Sequence, residues 1–336
     1  MLRTYNKQYI KRQRTKKHKY NRSLKQTHDY DPIRNSFPFS APLNFSFIHN
    51  ASETAEFFQK ILKFITDSRH FEKSIYVDIS KITTLTIDAL MYLLAIVNNL
   101  NKKFAGKYSF SGNSPVNENT RDLFIESGFF KYVKRRGNAP IQQNRDNVQI
   151  VSGTNSDTDV AKRMSEFVCR LANVDKSKCK FLYIMMIELM SNTDKHAYDD
   201  YDNILEPHWY CFAEYDKQDT ISFTFMDTGE GIPSTVQKNF SEKIDILKLK
   251  GEDKYVISAL NGDFRTSTKQ AHRGKGLPKI RSFCAERKIQ NLRIITNKAK
   301  LIVEKDKYIS EIISPALKGT LYYWEIKLSQ LKGECI

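Results

Sequence analysis

Cysteine is scarce in this 336-residue chain: there are five, none before Cys169, and no CxxC pair. An odd, unpatterned set speaks against a disulfide framework and a zinc site, and a reduced, cytoplasmic compartment is expected. Long apolar runs are also lacking. The longest, Ala89 to Val97, covers nine residues, against the roughly 20 that a membrane helix needs. No membrane insertion is expected, in line with a mean hydropathy of −0.53. The basic N-terminus lacks the apolar stretch of a secretory signal, so none is expected. Acids are outnumbered, 38 against 54 Lys and Arg, for a net charge of +16. What is present is core material: 40% hydrophobic and 12% aromatic residues exclude wholesale disorder, and the length suits two domains.

The charge is uneven. Residues 1–36 hold eleven Lys/Arg against Asp29 and Asp31, a net +9 that leaves +7 for the other 300 residues. The densest run is Lys11 to Lys19, with Tyr5, Tyr9, Tyr20 and Tyr30 interleaved. Without apolar periodicity, a disordered arm is the expectation. Such an arm can bind phosphate backbones and stack on unpaired bases. It can equally be a solvated tail, or meet an anionic membrane surface, although no amphipathic face emerges.

Ser36-Phe37-Pro38-Phe39-Ser40-Ala41-Pro42 reads as a linker into folded chain. Strand and helix patterns alternate beyond it. Leu43 to His49 alternates as a strand does, and Ser52 to Asp67 spaces Ala55, Phe58, Ile61, Leu62 and Ile65 as a helix capped by Ser52. Lys73 to Ser80 predicts a buried strand, Thr86 to Phe104 a helix, Tyr108 to Ser111 a short strand, and Asn117 to Ser127 a helix stopped by Gly128. That βαβαβα order predicts parallel strands flanked by helices, an α/β fold. A polar, aperiodic stretch at 134–147 marks a second linker. The expected organisation is an arm (1–36), a first domain (37–135), a linker (136–147) and a second domain (148–336).

Tyr76 to Leu90 (YVDISKITTLTIDAL), followed by Leu93 and Leu94, resembles a STAS domain, the fold of anti-sigma-factor antagonists, and Leu123 to Phe129 resembles its last helix and turn. Two departures stand out. A helix occupies the place of the family's usual N-terminal hairpin, and the family's phosphorylatable serine falls on Asp88. There the resemblance implies a fixed negative charge in place of a phosphorylation site.

The chemistry-bearing residues lie further on. Asp157 to Leu171 and Lys178 to Tyr198 predict helices, and on the second Glu188, Asn192 and Lys195 stand at i, i+4 and i+7, on one face. That stripe alone is also what an ordinary solvent face looks like. A strand pattern from Ile221 to Met226 runs into Asp227-Thr228-Gly229-Glu230-Gly231, which puts a carboxylate at a strand end beside backbone that a ligand can approach closely. Arg273-Gly274-Lys275-Gly276 then opens a helix expected over Lys279 to Arg287, where free backbone N–H groups suit phosphate. Gly319-Thr320 precedes a strand pattern from Leu321 to Leu328.

This ordered set resembles the GHKL (Bergerat-fold) ATPase superfamily over about 150–330. The implied architecture is an α/β (α+β sandwich) protein in which the STAS-like βα domain precedes a Bergerat-fold domain with a mixed sheet and helices on one face. The implied cofactors are ATP and Mg2+. By that resemblance Glu188 is the general base, Asn192 a Mg2+ ligand, and Asp227 the acceptor of the adenine amino group, supported by Thr320. Gly229 and Gly231 let the nucleotide pack closely, Gly274, Lys275 and Gly276 close over the phosphates, and Lys195 matches a position often basic in the family. His196 reads as structural. Pro233 to His272 would be a long, mobile ATP lid, with Arg265 and Lys269 as cations facing either the γ-phosphate or solvent.

The subclass is open among three readings. One is a slow Mg-dependent ATPase whose nucleotide state regulates an unidentified protein partner through the STAS-like domain. Another is a serine/threonine kinase of the anti-sigma type. The third is a nucleic-acid-binding protein with ATP as gating ligand. A sensor histidine kinase is not expected, because the one His followed by an acid, His28, lies in the arm. The further domain of gyrase-type relatives is not expected either. Dimerisation is common in the superfamily, so a homodimer is among the partners considered. If the arm binds nucleic acid, deleting residues 1–36 removes an affinity for RNA or DNA that falls steeply with salt. A gel-shift titration between 50 and 200 mM salt reads this, and binding insensitive to the deletion refutes it.

Overall fold

The computed structural model describes residues 36–67, 73–103, 108–133, 146–194, 205–264, 276–305 and 307–333. Residues 1–35 of the arm, most of the second linker, and 195–198 of the predicted second helix lie outside the described residues. The protein mixes helices and strands in three sheets, an α/β architecture. Among the described residues no helix is long and apolar enough to cross a membrane.

The N-terminal unit contains β1 (Phe37–Ser40), β2 (Asn44–Phe45), α1 (Phe47–Asp67), β3 (Lys73–Asp78), β4 (Thr84–Leu85), α2 (Ile87–Lys103), β5 (Tyr108–Gly112) and α3 (Glu118–Glu126). Strands β1, β3 and β5 form a parallel sheet in the order β1-β3-β5, and β2 pairs with β4 in parallel. The stretch read as a proline-punctuated linker is thus partly a strand, with Phe37 opposite Ile75 and Ser40 opposite Asp78. It tolerates Pro38 because β1 is an edge strand. Ala41 N–H donates to Asp78 O (2.9 Å), so by alternation Pro38 occupies an outward position where no donor is needed.

The strand expected over Leu43 to His49 shrinks to Asn44–Phe45, and a helix begins at Phe47. The reason is tertiary. Asp88, at the start of α2, accepts the Phe47 and Ile48 backbone N–H groups (3.2 and 3.3 Å), supplying a cap from forty residues away. The helix bends at Asn50 (φ −147°, ψ 59°), whose side chain donates to Asn44 O and Glu53 Oε2. Ser52 is therefore inside α1 and does not cap it.

The C-terminal part contains β6 (Asn147–Gly153), α4 (Thr158–Ala172), α5 (Lys180–Asp194), β7 (Trp209–Tyr215), β8 (Thr220–Asp227), α6 (Ile232–Ile246), α7 (Glu252–Asn261), α8 (Gly276–Ala285), β9 (Gln290–Glu304), β10 (Lys307–Lys327) and α9 (Leu328–Lys332). Asp157 caps α4 by accepting the Asp159 and Val160 N–H groups. The sheet order is β6-β7-β8-β10-β9. Where a mixed sheet is expected, all its ladders run antiparallel. The segment expected to be a long loop, Pro233 to His272, holds α6 and α7 around a small core of Val236, Ile244, Ala259 and Phe264.

Both faces of this sheet are buried. Trp209, Cys211, Phe223, Phe225, Tyr322 and Trp324 meet Met164, Phe167, Leu182, Met185 and Leu189 of α4 and α5. Their alternates Tyr210, Phe212, Met226 and Leu321 join Phe47, Phe58, Leu90 and Leu94 of α1 and α2. The helices of the N-terminal unit thus cover the second face. The same unit also closes the β6 edge, where Ile150 N–H donates to Ser127 O (2.8 Å) and Gln149 Nε2 to Glu126 O (3.1 Å).

Asp88 is fully buried. Burial pushes its carboxyl up to about 6, against the pull of hydrogen bonds from Thr86 Oγ1, Phe47 and Ile48. The folded state therefore keeps a proton that the unfolded chain has lost by about pH 4, and stability falls as pH rises from about 4 to 6. Asp88→Asn should flatten part of that slope in denaturant midpoints measured from pH 4.5 to 7. An unchanged slope would count against this role.

Candidate functional site

Position on β8 dictates where Asp227 points. Ile221, Phe223 and Phe225 face the α4/α5 layer, and the strand's period of two continues that face to Asp227, its last residue. The Asp227 side chain is almost wholly covered, at 8% exposure. Gly229 N–H donates to Asp227 Oδ1 (2.9 Å). Thr320, directly opposite on β10, supplies hydrogen bonds from its backbone and hydroxyl. Burial nonetheless raises the Asp227 carboxyl to about 6, and the Gly229 and Thr320 bonds only partly offset it. The result is a poised carboxylate at the mouth of an apolar layer.

Two residues of β9 that the sequence reading did not single out hold this corner together. Thr296 Oγ1 accepts Ile232 N–H (3.0 Å) and shares a 3.2 Å bond with the Thr320 hydroxyl. It also lies 3.1 Å from Gly319 O, to which it can donate. Asn297 Nδ2 donates to Glu230 O (3.0 Å), while its Oδ1 accepts from the Ser234 N–H and hydroxyl. They bind the Gly229–Gly231 turn to the Gly319–Thr320 corner. The one local signal was a polar Thr-Asn pair inside an apolar strand. Gly319 has φ +98°, and a Cβ there would collide with the Asp227 main-chain oxygen.

Glu188 and Asn192 lie one turn apart on the partly exposed side of α5, with Leu189 and Met190 buried behind them. Gly276, the first residue of α8, abuts Glu188: a Cβ on it would lie 2.7 Å from Glu188 Oε2. The two glycine segments converge on one small core, since Ile232 and Leu277 both pack against Val236, Ile244, Ala259 and Phe264. The structure therefore groups Asp227, Gly229 and Thr320 in one cluster and Glu188 with Gly276 in another. Gly231 stands at the entry to α6. Lys195, His196, Arg265, Lys269, Gly274 and Lys275 lie outside the described residues.

Among the described residues, no group of three or more His, Cys, Asp or Glu side chains could hold a metal ion. An open groove of about 490 Å3 lies on the N-terminal unit beside β1, lined by Phe39, Pro42, Phe57, Glu53, Glu56 and Lys60, and no predicted site residue lines it.

No known protein family matches the sequence, and no curated protein does. Among solved structures, the histidine kinase domain of a blue-light activated histidine kinase from Erythrobacter litoralis EL346 aligns at 12% identity and a TM-score of 0.24. The alignment covers 53% of this chain and 63% of that one, so this chain spans less than two thirds of that domain. A likeness of that degree assigns no activity to this chain.

The two glycine contacts predict different outcomes. Gly319→Ala forces a Cβ into backbone at a positive φ and should cost about 2 kcal/mol or more. Gly276→Ala meets only the movable end of Glu188 and should stay within about 1 kcal/mol of the parent. Thermal unfolding of both variants decides this, and equal midpoints would refute the assignment.

Proposed function

We propose that this chain is a Mg2+-dependent ATP-binding protein of the GHKL type, a slow ATPase whose nucleotide state regulates a protein partner through the STAS-like N-terminal unit. The observation that carries the reading is Asp227. A nearly buried carboxylate at a strand end, held by Gly229 and Thr320, offers an acceptor in surroundings that reward a donor such as the adenine amino group.

In this reading Glu188 accepts the proton of the attacking water. Its carboxylate stands beside Gly276 at the N-terminus of α8, where the positive helix end and free N–H groups favour phosphate. Gly274 and Lys275 would continue that contact, with Lys195 adding charge from the α5 side. Asn192, one turn from Glu188, would supply a carbonyl oxygen to Mg2+, with phosphates and water as its other ligands. Bound Mg2+ would neutralise charge developing on the phosphates. The chain's own residues orient the purine, hold the glycine turns against it and take up the proton.

Phosphorylation of the position that aligns with the STAS serine is not part of the proposal. Asp88 is buried beneath the start of α1, and a partner would be contacted elsewhere on the unit.

Calorimetric titration with Mg-ATP and a phosphate-release assay test the reading. Asp227→Asn should weaken binding about tenfold to a hundredfold, the worth of a hydrogen bond to a charged group. Glu188→Ala should abolish hydrolysis while leaving binding within a few-fold. Unchanged turnover in the Glu188 variant would remove its catalytic assignment.

A further inference from the structure

Helix α2 reaches the Asp227 corner from the other side of the sheet, and it does so through two separate polar connections. The first begins at Asn99, which is 6% exposed. Its Nδ2 donates to Ala95 O (2.8 Å), which fixes the rotamer, and its Oδ1 accepts the Glu206 backbone N–H (2.8 Å). Lys102, one turn along, pairs with Glu206 Oε2 (2.5 Å). Glu206 O in turn accepts the hydroxyl of Thr228 (2.5 Å), a fully buried residue adjacent to Asp227. Thr228 also exchanges bonds with His208, donating its backbone N–H to His208 O and accepting His208 N–H on its hydroxyl (3.0 Å each).

The second connection begins at Tyr92, buried at 2% exposure, whose hydroxyl faces the backbone of Lys318 and is favoured electrostatically by it. Lys318 directly precedes Gly319 and Thr320, and its Nζ donates to Leu205 O (3.2 Å). The strand end that carries Asp227 and the stretch of β10 that carries its partner Thr320 are therefore both tied to one helix of the N-terminal unit. Packing alone does not require this. Apolar contacts between α2 and the sheet would hold the layers together without assigning a polar group to either side of the Asp227–Thr320 pair.

We propose that Asn99 and Tyr92 are positioning residues for the Asp227 pocket, and that α2 is the element by which the N-terminal unit sets nucleotide affinity. The proposal rests on the ATP reading of that pocket. Coupling of this kind is reciprocal: whatever loosens α2 weakens the ligand, and the ligand tightens α2.

The test uses the full chain with Mg-ATP. Tyr92→Phe removes one hydroxyl without changing shape, and Asn99→Ala removes the Glu206 anchor. Each should raise the Kd for ATP about tenfold, within the usual range of coupling between sites, while Lys60→Ala, on the outer side of α1, leaves it unchanged. Amide exchange supplies a reading that a merely structural role would not move. Saturating Mg-ATP should slow exchange over residues 96–103 in the parent, and this protection should be lost in Tyr92→Phe. If Asn99→Ala does not fold, Tyr92→Phe and the exchange measurement on the parent still decide. A Kd within twofold of the parent in Tyr92→Phe, or no nucleotide-dependent protection of 96–103, overturns the proposal while leaving the ATP reading intact. No ATP binding by the parent chain overturns both.

Discussion

Strands β7, β8 and β10 are covered on both faces, and the rest of the architecture supplies the two apolar surfaces this demands. Toward α4 and α5 the sheet presents Phe223 stacked on Trp324 at 5.1 Å and nearly parallel. Toward α1 and α2 it presents Tyr210, Phe212 and Met226 against a cluster where Phe47 stacks on Phe58 at 5.6 Å. Each large side chain so buried contributes roughly 1.5–3 kcal/mol. Stripping either helical layer would expose a whole face at once. The N-terminal unit is thus as much a wall of the sheet as a unit of its own, and it seals the β6 edge in addition.

Polar chemistry gathers in the sheet at the end of β8, beside inner positions of β9 and β10. Asp227, Thr228, Thr296, Asn297 and Thr320 gather there, each satisfied by a neighbour on another strand or loop. Low local dielectric strengthens these bonds and makes any vacancy among them costly. It also accounts for the raised Asp227 carboxyl. A site so held is preorganised, because moving one member disturbs several others.

Helix chemistry was the most legible part of the sequence. Asp157 announced α4, Asn117 announced α3, and the Glu188–Asn192 spacing located the partly exposed face of α5, because capping and the 3.6-residue period are local. Strands buried on both faces were legible only in part: β8 and the last stretch of β10 were read, while β7 was not. Trp209 to Tyr215 has no polar alternation to reveal it, and β9 and β10 carry register shifts, including one between Ile312 and Leu317, that break the pattern. The start of α1 was misplaced since its cap comes from Asp88, in a different helix. At the site, Asp227 and the glycines were visible as a motif. Thr296 and Asn297 were not, because their roles arise only when β9 is laid beside β10.

The outward position of Pro38 in β1 bears on more than the fold of one molecule. A three-stranded parallel sheet ends at β1, and an open sheet edge is a template on which a foreign strand can grow. With Pro38 and Ser40 as its outward positions, the edge keeps at most one backbone donor where a ladder would need both. The prolyl ring thereby acts as a blunt end, and sheet-to-sheet association between copies of this protein is discouraged at that edge.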